Sequence, residues 1–299
     1  MTSESNKSGV IIPFLLVTLI WSSTWIVIRD QLAAVPPSWS VCYRFLLGAA
    51  GMALFALARR VPLRLPPAGI AFAAVLGVAQ FVLNFNFVYR AEHYLTSGVV
   101  ATIYALLLIP NSILAWIAFR QRVSRAFILG SLVAITGIAL LLLREYRAAP
   151  VSADTVLLGI ALTCCGLLSA STANVMQGMQ IARRLPMAAV LTWAMLIGSM
   201  IDALYAWTTV GPPVIEWRAG YLLGIAWLGI AGSVITFPLY FQLIQRLGPG
   251  RAAYSSVLIP VIAMLISTVA EDYHWTTLSA AGALLAVAGM AIALRAKDA

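Results

Sequence analysis

Charge is scarce in this sequence. Of 299 residues only 10% are Asp, Glu, Lys or Arg, against about a quarter in an ordinary soluble domain. Ten carboxylates cannot dress the surface of a soluble protein of this size. Histidine occurs twice and cysteine three times, so a metal centre or disulfide framework has few residues to draw on, and no cofactor is called for. Phosphate-cradling Gly-rich loops, Gly/Ser linkers and low-complexity tracts are absent, and only the leader Met1 to Ser8 is continuously polar. What remains is apolar: 62% of residues are hydrophobic and the mean hydropathy is +0.95. A chain of this make-up has a lipid bilayer as its solvent and partner. The net charge of +9 does not point to nucleic acid, because the basic residues are dispersed singly and in pairs instead of gathered on one face.

A membrane helix needs about 20 apolar residues, so ten helices use about 200 and leave roughly 100 for nine loops and two tails. Apolar runs bounded by charge, Pro and Gly give ten candidates: Val10 to Ile28, Ser38 to Ala58, Ile70 to Tyr89, Ser97 to Phe119, Ala126 to Leu143, Thr155 to Gln177, Met187 to Val210, Ala219 to Leu243, Ala252 to Ala270, and Leu278 to Leu294. Backbone groups in lipid must bond within their own segment, and strand-like alternation is missing, so the fold class expected is an all-α integral membrane protein. The first run follows Lys7 as a signal peptide would. It is longer than a usual signal core and no small-x-small site follows it, so it reads as a retained span. Cys42, Cys164 and Cys165 lie within spans and read as small packing residues.

Lys and Arg are unevenly shared between the two sides. Thirteen fall on the leader, alternate connections and C-terminal tail, from Lys7 through Arg59, Arg120, Arg183 and Arg246 to Lys297; five (Arg29, Arg90, Arg144, Arg147, Arg218) fall opposite. The positive-inside rule then predicts both termini in the cytoplasm, with the protein in a bacterial-type inner membrane.

The two halves resemble each other. Tyr104 to Pro110 aligns without gaps on Tyr254 to Pro260, and Gly130, Leu132, Ala134, Gly137 and Ala139 align on Gly282, Leu284, Ala286, Gly289 and Ala291. The expected organisation is a cytoplasmic leader at 1–9, a first five-helix repeat at 10–145, and a second at 153–296. Five is odd, so the second repeat is inverted, and a substrate site is expected near the midplane between the two. With these matches in view, the chain resembles the EamA branch of the drug/metabolite transporter superfamily. The resemblance is carried by the five-plus-five plan, the opening Ile20-Trp21-Ser22-Ser23, and the small-residue segments leading to Pro110 and Pro260. In that family an acidic residue commonly follows the latter span, matched by Glu271; the equivalent position in the first half, Gln121, departs from it. The size and short tails are also similar to bacterial aromatic amino acid exporters of the YddG type. The resemblance implies a secondary transporter, export of small metabolites such as amino acids including aromatic ones, and no enzymatic activity.

Candidate pathway residues are those whose polarity or ring chemistry a lipid-facing helix does not need. Pro110 and Pro260 each remove a mid-helix hydrogen bond and mark kinks or gates. Tyr104 and Tyr254 offer one aromatic per side, as gate or as packing beside the kink. Gln80 and Asn84 share a face, with Tyr89 further out, and Ser171 and Asn174 share another. Trp21, Ser22 and Trp25 lie on the first span, Trp193 on the seventh and Ser256 beside Tyr254; as aromatic and hydroxyl groups they could line a cavity. Trp39, Trp207, Trp217 and Trp275 suit interfacial anchors. Arg44 lies about 10 Å deep, from where it can snorkel to the interface or hold a substrate carboxylate. Asp202 is the one carboxylate well inside a span, either a proton carrier or the partner of a polar neighbour. His93, beside Glu92, reads as solvated. Gly130 and Gly282 with their small neighbours predict close scaffold packing of the fifth and tenth spans.

Three function classes meet these residues. Alternating access by a secondary transporter, monomeric or homodimeric, uses the inverted repeat directly. A channel or uniporter for small polar or cationic solutes could share the path. A lipid-modifying enzyme would need clustered His, Asp, Glu or Cys, which the spans do not supply.

Overall fold

The computed structural model describes residues 2–120, 124–148, 153–252 and 255–295, and these are almost entirely helical. Ten apolar helices follow one another: α1 (Thr2–Gln31), α2 (Pro37–Ala58), α3 (Pro67–Ala91), α4 (Ser97–Phe119), α5 (Arg125–Ala148), α6 (Ala153–Gly178), α7 (Met187–Thr209), α8 (Ala219–Leu247), α9 (Ser255–Ala270) and α10 (Thr277–Arg295). Among the described residues, eight helices are long and apolar enough to cross a membrane, and the last two are shorter apolar ones. One-turn helices at Gln180–Arg184 and Pro249–Ala252 sit in the connections.

Local chemistry sets the ends. α2 and α3 start with a proline in the first turn, where the missing N–H has no helical acceptor to lose. α4 stops at Arg120, whose left-handed backbone (φ 56°) turns the chain, and α8 stops at Gly248 with φ 84°. Large apolar side chains such as Leu204, Val269 and Leu284 lie outside, while Thr18, Gln80, Asn84, Asn86 and Asp202 are buried. Apolar outside and polar inside is the distribution a bilayer requires.

The packing repeats at five-helix intervals. α5 packs most extensively on α10, then α2 on α7; the α1–α8 contact answers α6–α3, α2–α8 answers α7–α3, and α1–α9 answers α6–α4. Close approach in α5–α10 depends on glycine: a Cβ on Gly130 would lie 2.5 Å from the Gly289 carbonyl oxygen, and one on Gly289 would lie 2.6 Å from that of Gly130. The central helices α3 and α8 are distorted at corresponding places, over Val78–Leu83 and Trp227–Ile235, where the backbone widens to i→i+5 bonding. Neither widening was foreseen, since hydropathy carries no record of bonding register. Trp39 departs from its expected interfacial role: it is buried against Val35 and Tyr221, stacks on Tyr43, and donates to the Gly211 carbonyl. Trp207, Trp217 and Trp275 are exposed.

Below, the leader end is the end at which α1 starts, and the far end is the one carrying Arg29, Glu92 and Glu271.

Candidate functional site

A central cavity of about 90 Å³ lies among α1, α3, α4, α6, α8 and α9, with Arg44 reaching in from α2. Its wall is aromatic. Trp21 meets Phe237 and Tyr240 edge-on at 5.5 and 4.9 Å between ring centres, and Trp25 lies 5.2 Å from Tyr104. The widened segment of α8 helps to position Trp21: its Nε1 donates to the carbonyl of Gly232, within that segment, at 3.3 Å. The Tyr104 hydroxyl donates to Asn84 Oδ1 at 2.5 Å, and it has room to do so because residue 166 is glycine; a Cβ there would lie 2.5 Å from that hydroxyl.

Arg44 does not snorkel. Its side chain is 1% exposed, and its guanidinium carbon sits 4.3 Å from the Phe85 ring centre and 5.1 Å from Phe45, with Nε 3.5 Å from Ser233 Oγ. The outward route expected of a single helix is closed because α3 and α8 flank α2 at that depth. Among the described residues no carboxylate forms an ion pair with Arg44 within 4 Å and none lines the cavity. A buried cation held against aromatic faces, with its charge uncompensated at contact distance, favours an anionic group in its vicinity.

The structure gathers Trp21, Trp25, Arg44, Gln80, Asn84, Tyr104 and Asn174 around this cavity. It places others elsewhere. The Ser22 hydroxyl donates to the Thr18 carbonyl at 2.6 Å, and Tyr89 donates to Gln31 Oε1 at 3.0 Å outside the lining. Ser171 is buried within α6 and off the wall. Trp193 donates to the Leu63 carbonyl at 2.8 Å near the leader end. Asp202 is away from the cavity, where its Oδ1 accepts from Asn86 Nδ2 at 2.7 Å, a pairing with a polar neighbour. Pro110 follows a one-turn 3-10 segment, Ala105–Leu107, and Pro260 lies inside α9. Tyr254 and the side chain of Ser256 lie outside the described residues. Thr24, Phe85, Phe237 and Tyr240 also line the cavity and were not anticipated. Aromatics scattered through apolar spans look like core, and only the convergence of several helices on one cavity separates these from the rest.

Polar contacts lie at both ends of the cavity. At the leader end they are amide to carbonyl: Asn111 Nδ2 reaches the Pro249 carbonyl at 3.4 Å and Asn174 Nδ2 reaches Asn111 Oδ1 at 3.5 Å. At the far end a carboxylate is the hub. Glu271 at the close of α9 accepts from the Ser97 amide at 3.2 Å, from Ser97 Oγ at 2.5 Å and from Ser267, and Arg29 Nε of α1 lies 3.7 Å away. Ser97 and Ser267 hydroxyls meet at 3.1 Å, and the Gly98 amide donates to Ser267 Oγ at 3.0 Å. This hub joins α1, α4 and α9. His93 is exposed, as expected, whereas Glu92 is completely buried. Among the described residues there is no group of three or more His, Cys, Asp or Glu arranged to hold a metal ion.

Comparison with known proteins gives a consistent picture. The model of the family described as the EamA-like transporter family matches residues 8–143 and again 157–295. The chain is 26% identical over 271 residues to protein PagO of Salmonella typhimurium, covering 90% of this chain and 86% of that one. It is 23% identical over 295 residues to a protein of the same organism named "Probable amino-acid metabolite efflux pump", covering 96% and 95%. It is 26% identical over 257 residues to YedA of Escherichia coli, named an uncharacterized inner membrane transporter, covering 84% and 79%. A crystal structure of a protein 23% identical superposes with a TM-score of 0.70 over 96% of this chain and 97% of that one, a likeness of fold.

Proposed function

This chain belongs to the EamA-like transporter family, and from that premise we propose that it is a secondary transporter moving amino acids, aromatic ones included, by alternating access through the central cavity. The carrying observation is the wall of that cavity: Trp21, Trp25, Phe85, Phe237 and Tyr240 surround a buried Arg44, with no carboxylate among the described lining residues. Such a wall suits a solute with an anionic group and an apolar or aromatic body. It repels small cations, which lack a counter-charge there. Gln80, Asn84 and Asn174 supply neutral hydrogen bonds for the remaining polar atoms.

Inverted five-helix halves, at 10–145 and 153–296, complete the reading. The five-place recurrence in helix packing, the paired widenings in α3 and α8, and the two separate family matches all support it. Closing one end of the cavity while opening the other then interchanges the two halves' conformations. The Lys and Arg asymmetry supports cytoplasmic termini in an inner membrane. Efflux is the direction suggested by the relative named as an efflux pump.

Counterflow tests this. Proteoliposomes loaded with unlabelled tryptophan or phenylalanine are expected to accumulate the labelled amino acid transiently. Fast non-saturating flux without trans-acceleration would mark a channel and overturn the proposal.

A further inference from the structure

The contacts at the two ends of the cavity differ in kind. Amides and carbonyls do not titrate near neutral pH, so the leader-end contacts keep their character at any physiological acidity. The far end holds two carboxyl groups, Glu271 within its contacts and Glu92 outside them, and the second is unusual. Glu92 is 0% exposed, and neither of its carboxylate oxygens has a hydrogen-bond donor among the described residues. A carboxylate in that setting is held out of water without compensation, and a proton is the simplest relief.

The groups facing Glu92 come from several helices. Glu271 of α9 repels its negative form; Arg29 of α1 and Arg44 of α2 attract it; Tyr89 on its own helix and Tyr104 of α4 are neutral neighbours. Arg90 and His93 flank it in the chain, and Cys164 of α6 stands against Tyr104. The arginines are only partly available. Arg29 is 41% exposed and lies beside Glu271, and Arg44 is held over Phe85. Burial, and then the charge of Glu271, push the Glu92 carboxyl well above the ordinary value of 4.5, against the weaker pull of the two arginines.

We propose that Glu92, opposed by Glu271, is a proton-binding site at the far end of the pathway, holding one proton while α1, α4 and α9 are latched there and losing it to the far-side solution when they part. The coupling of this site to opening rests on the alternating-access reading. Its chemistry does not depend on which solute is carried. The latched form binds the proton more tightly than the open form, so acid on the far side stabilises the latched form and rising pH there favours opening. Between the open-form and latched-form pKa values, each pH unit changes the ratio of the two by up to about tenfold. Acidity on the leader side leaves this equilibrium alone.

The test reads opening without a transported solute. Val88 lines the cavity and is 2% exposed. In full-length protein with the native cysteines replaced and reconstituted in vesicles, Val88→Cys is labelled from the far side by a membrane-impermeant maleimide. Its rate is divided by that of Val214→Cys on the exposed far-side loop, which removes the intrinsic pH dependence of the thiol. The expected ratio falls by up to tenfold per unit as far-side pH is lowered, stays constant as leader-side pH is changed, and becomes independent of pH in Glu92→Gln. Glu271→Gln, a second variant should the first not fold, is expected to move the profile to lower pH. A ratio flat in far-side pH, or an unchanged profile in Glu92→Gln or in Glu271→Gln, overturns the proposal. Counterflow failing while this labelling behaves as expected would instead overturn the transport reading alone.

Discussion

A methyl group added at Gly137 asks whether α5 and α10 form a fixed strut. The new Cβ would lie 2.5 Å from the Gly282 carbonyl oxygen and 2.8 Å from the Leu285 carbonyl carbon, and on the other side a Cβ at Gly282 would lie 2.6 Å from the Gly137 oxygen. Cβ atoms essentially never approach within 3.0 Å of another heavy atom, so the helices must part locally by about half an ångström or more. The obstacles are backbone atoms, which no rotamer change can move aside. Overpacking of this kind costs about 1–3 kcal/mol, a sizeable share of a typical folding free energy. Gly137→Ala is therefore expected to lower the free energy of unfolding in detergent by that amount. Adding Gly282→Ala should cost less than a second independent lesion, because the first separation has already made room. Gly220→Ala is the control, since its Cβ meets only the guanidinium end of the exposed Arg218 side chain, which can swing aside at the cost of surface contacts with Asp30 and Glu216, and no backbone. Neither α5 nor α10 lines the cavity, so counterflow per folded molecule should be unchanged. An unfolding curve for Gly137→Ala that overlays the wild type would refute the strut, and so would a selective loss of counterflow at normal stability.

Other outcomes follow from the cavity. Arg44→Gln removes a charged partner worth about 1.5–3 kcal/mol to a carboxylate, so the apparent KM for an amino acid should rise roughly tenfold to a hundredfold; an unchanged KM would disconnect Arg44 from the solute. Gly166→Ala pushes on the Tyr104 hydroxyl and should imitate Tyr104→Phe in counterflow affinity, both losing the bond to Asn84; different behaviour of the two variants would count against that bond. Asp202→Asn is expected to leave the far-side pH profile of labelling intact, because Asp202 is engaged by Asn86 away from the cavity; a lost profile would return Asp202 to the role of proton carrier.

Much of this architecture was legible in the residues. The ends of the ten apolar runs fall within about five positions of the observed helix ends except at the start of α1, which begins at Thr2 instead of Val10, and the glycines of the fifth and tenth runs sit where those helices touch. Depth along one helix was a poorer guide. Arg44 is near enough to an end to snorkel, yet its surroundings depend on α3 and α8, which no local pattern describes. Glu92 fails for the same reason. It lies three residues beyond an apolar run, one beyond the end of α3, and reads as a loop residue, but it is buried in the structure with Arg29 of α1, Arg44 of α2 and Glu271 at the end of α9 around it. Trp21 and Trp25 stood out because mid-span tryptophan is hard to explain otherwise, whereas Phe237 and Tyr240 had nothing to mark them in an apolar helix.

The widened turns of α3 and α8 also bear on how such a chain can change over evolutionary time. A π turn is geometrically one extra residue taken up locally in an α-helix; wound as ordinary helix, that residue would turn everything beyond it by about 100°. Deleting a single codon within 78–83 would therefore restore ordinary winding, keep the span long enough for the bilayer, and leave Asn84, Phe85 and Val88 on the face they now present. The same holds for Phe237 and Tyr240 on deletion within 227–235, whereas a deletion just beyond either segment would swing them away. The two widened segments are thus the places where these helices can gain or lose a residue without turning the cavity wall.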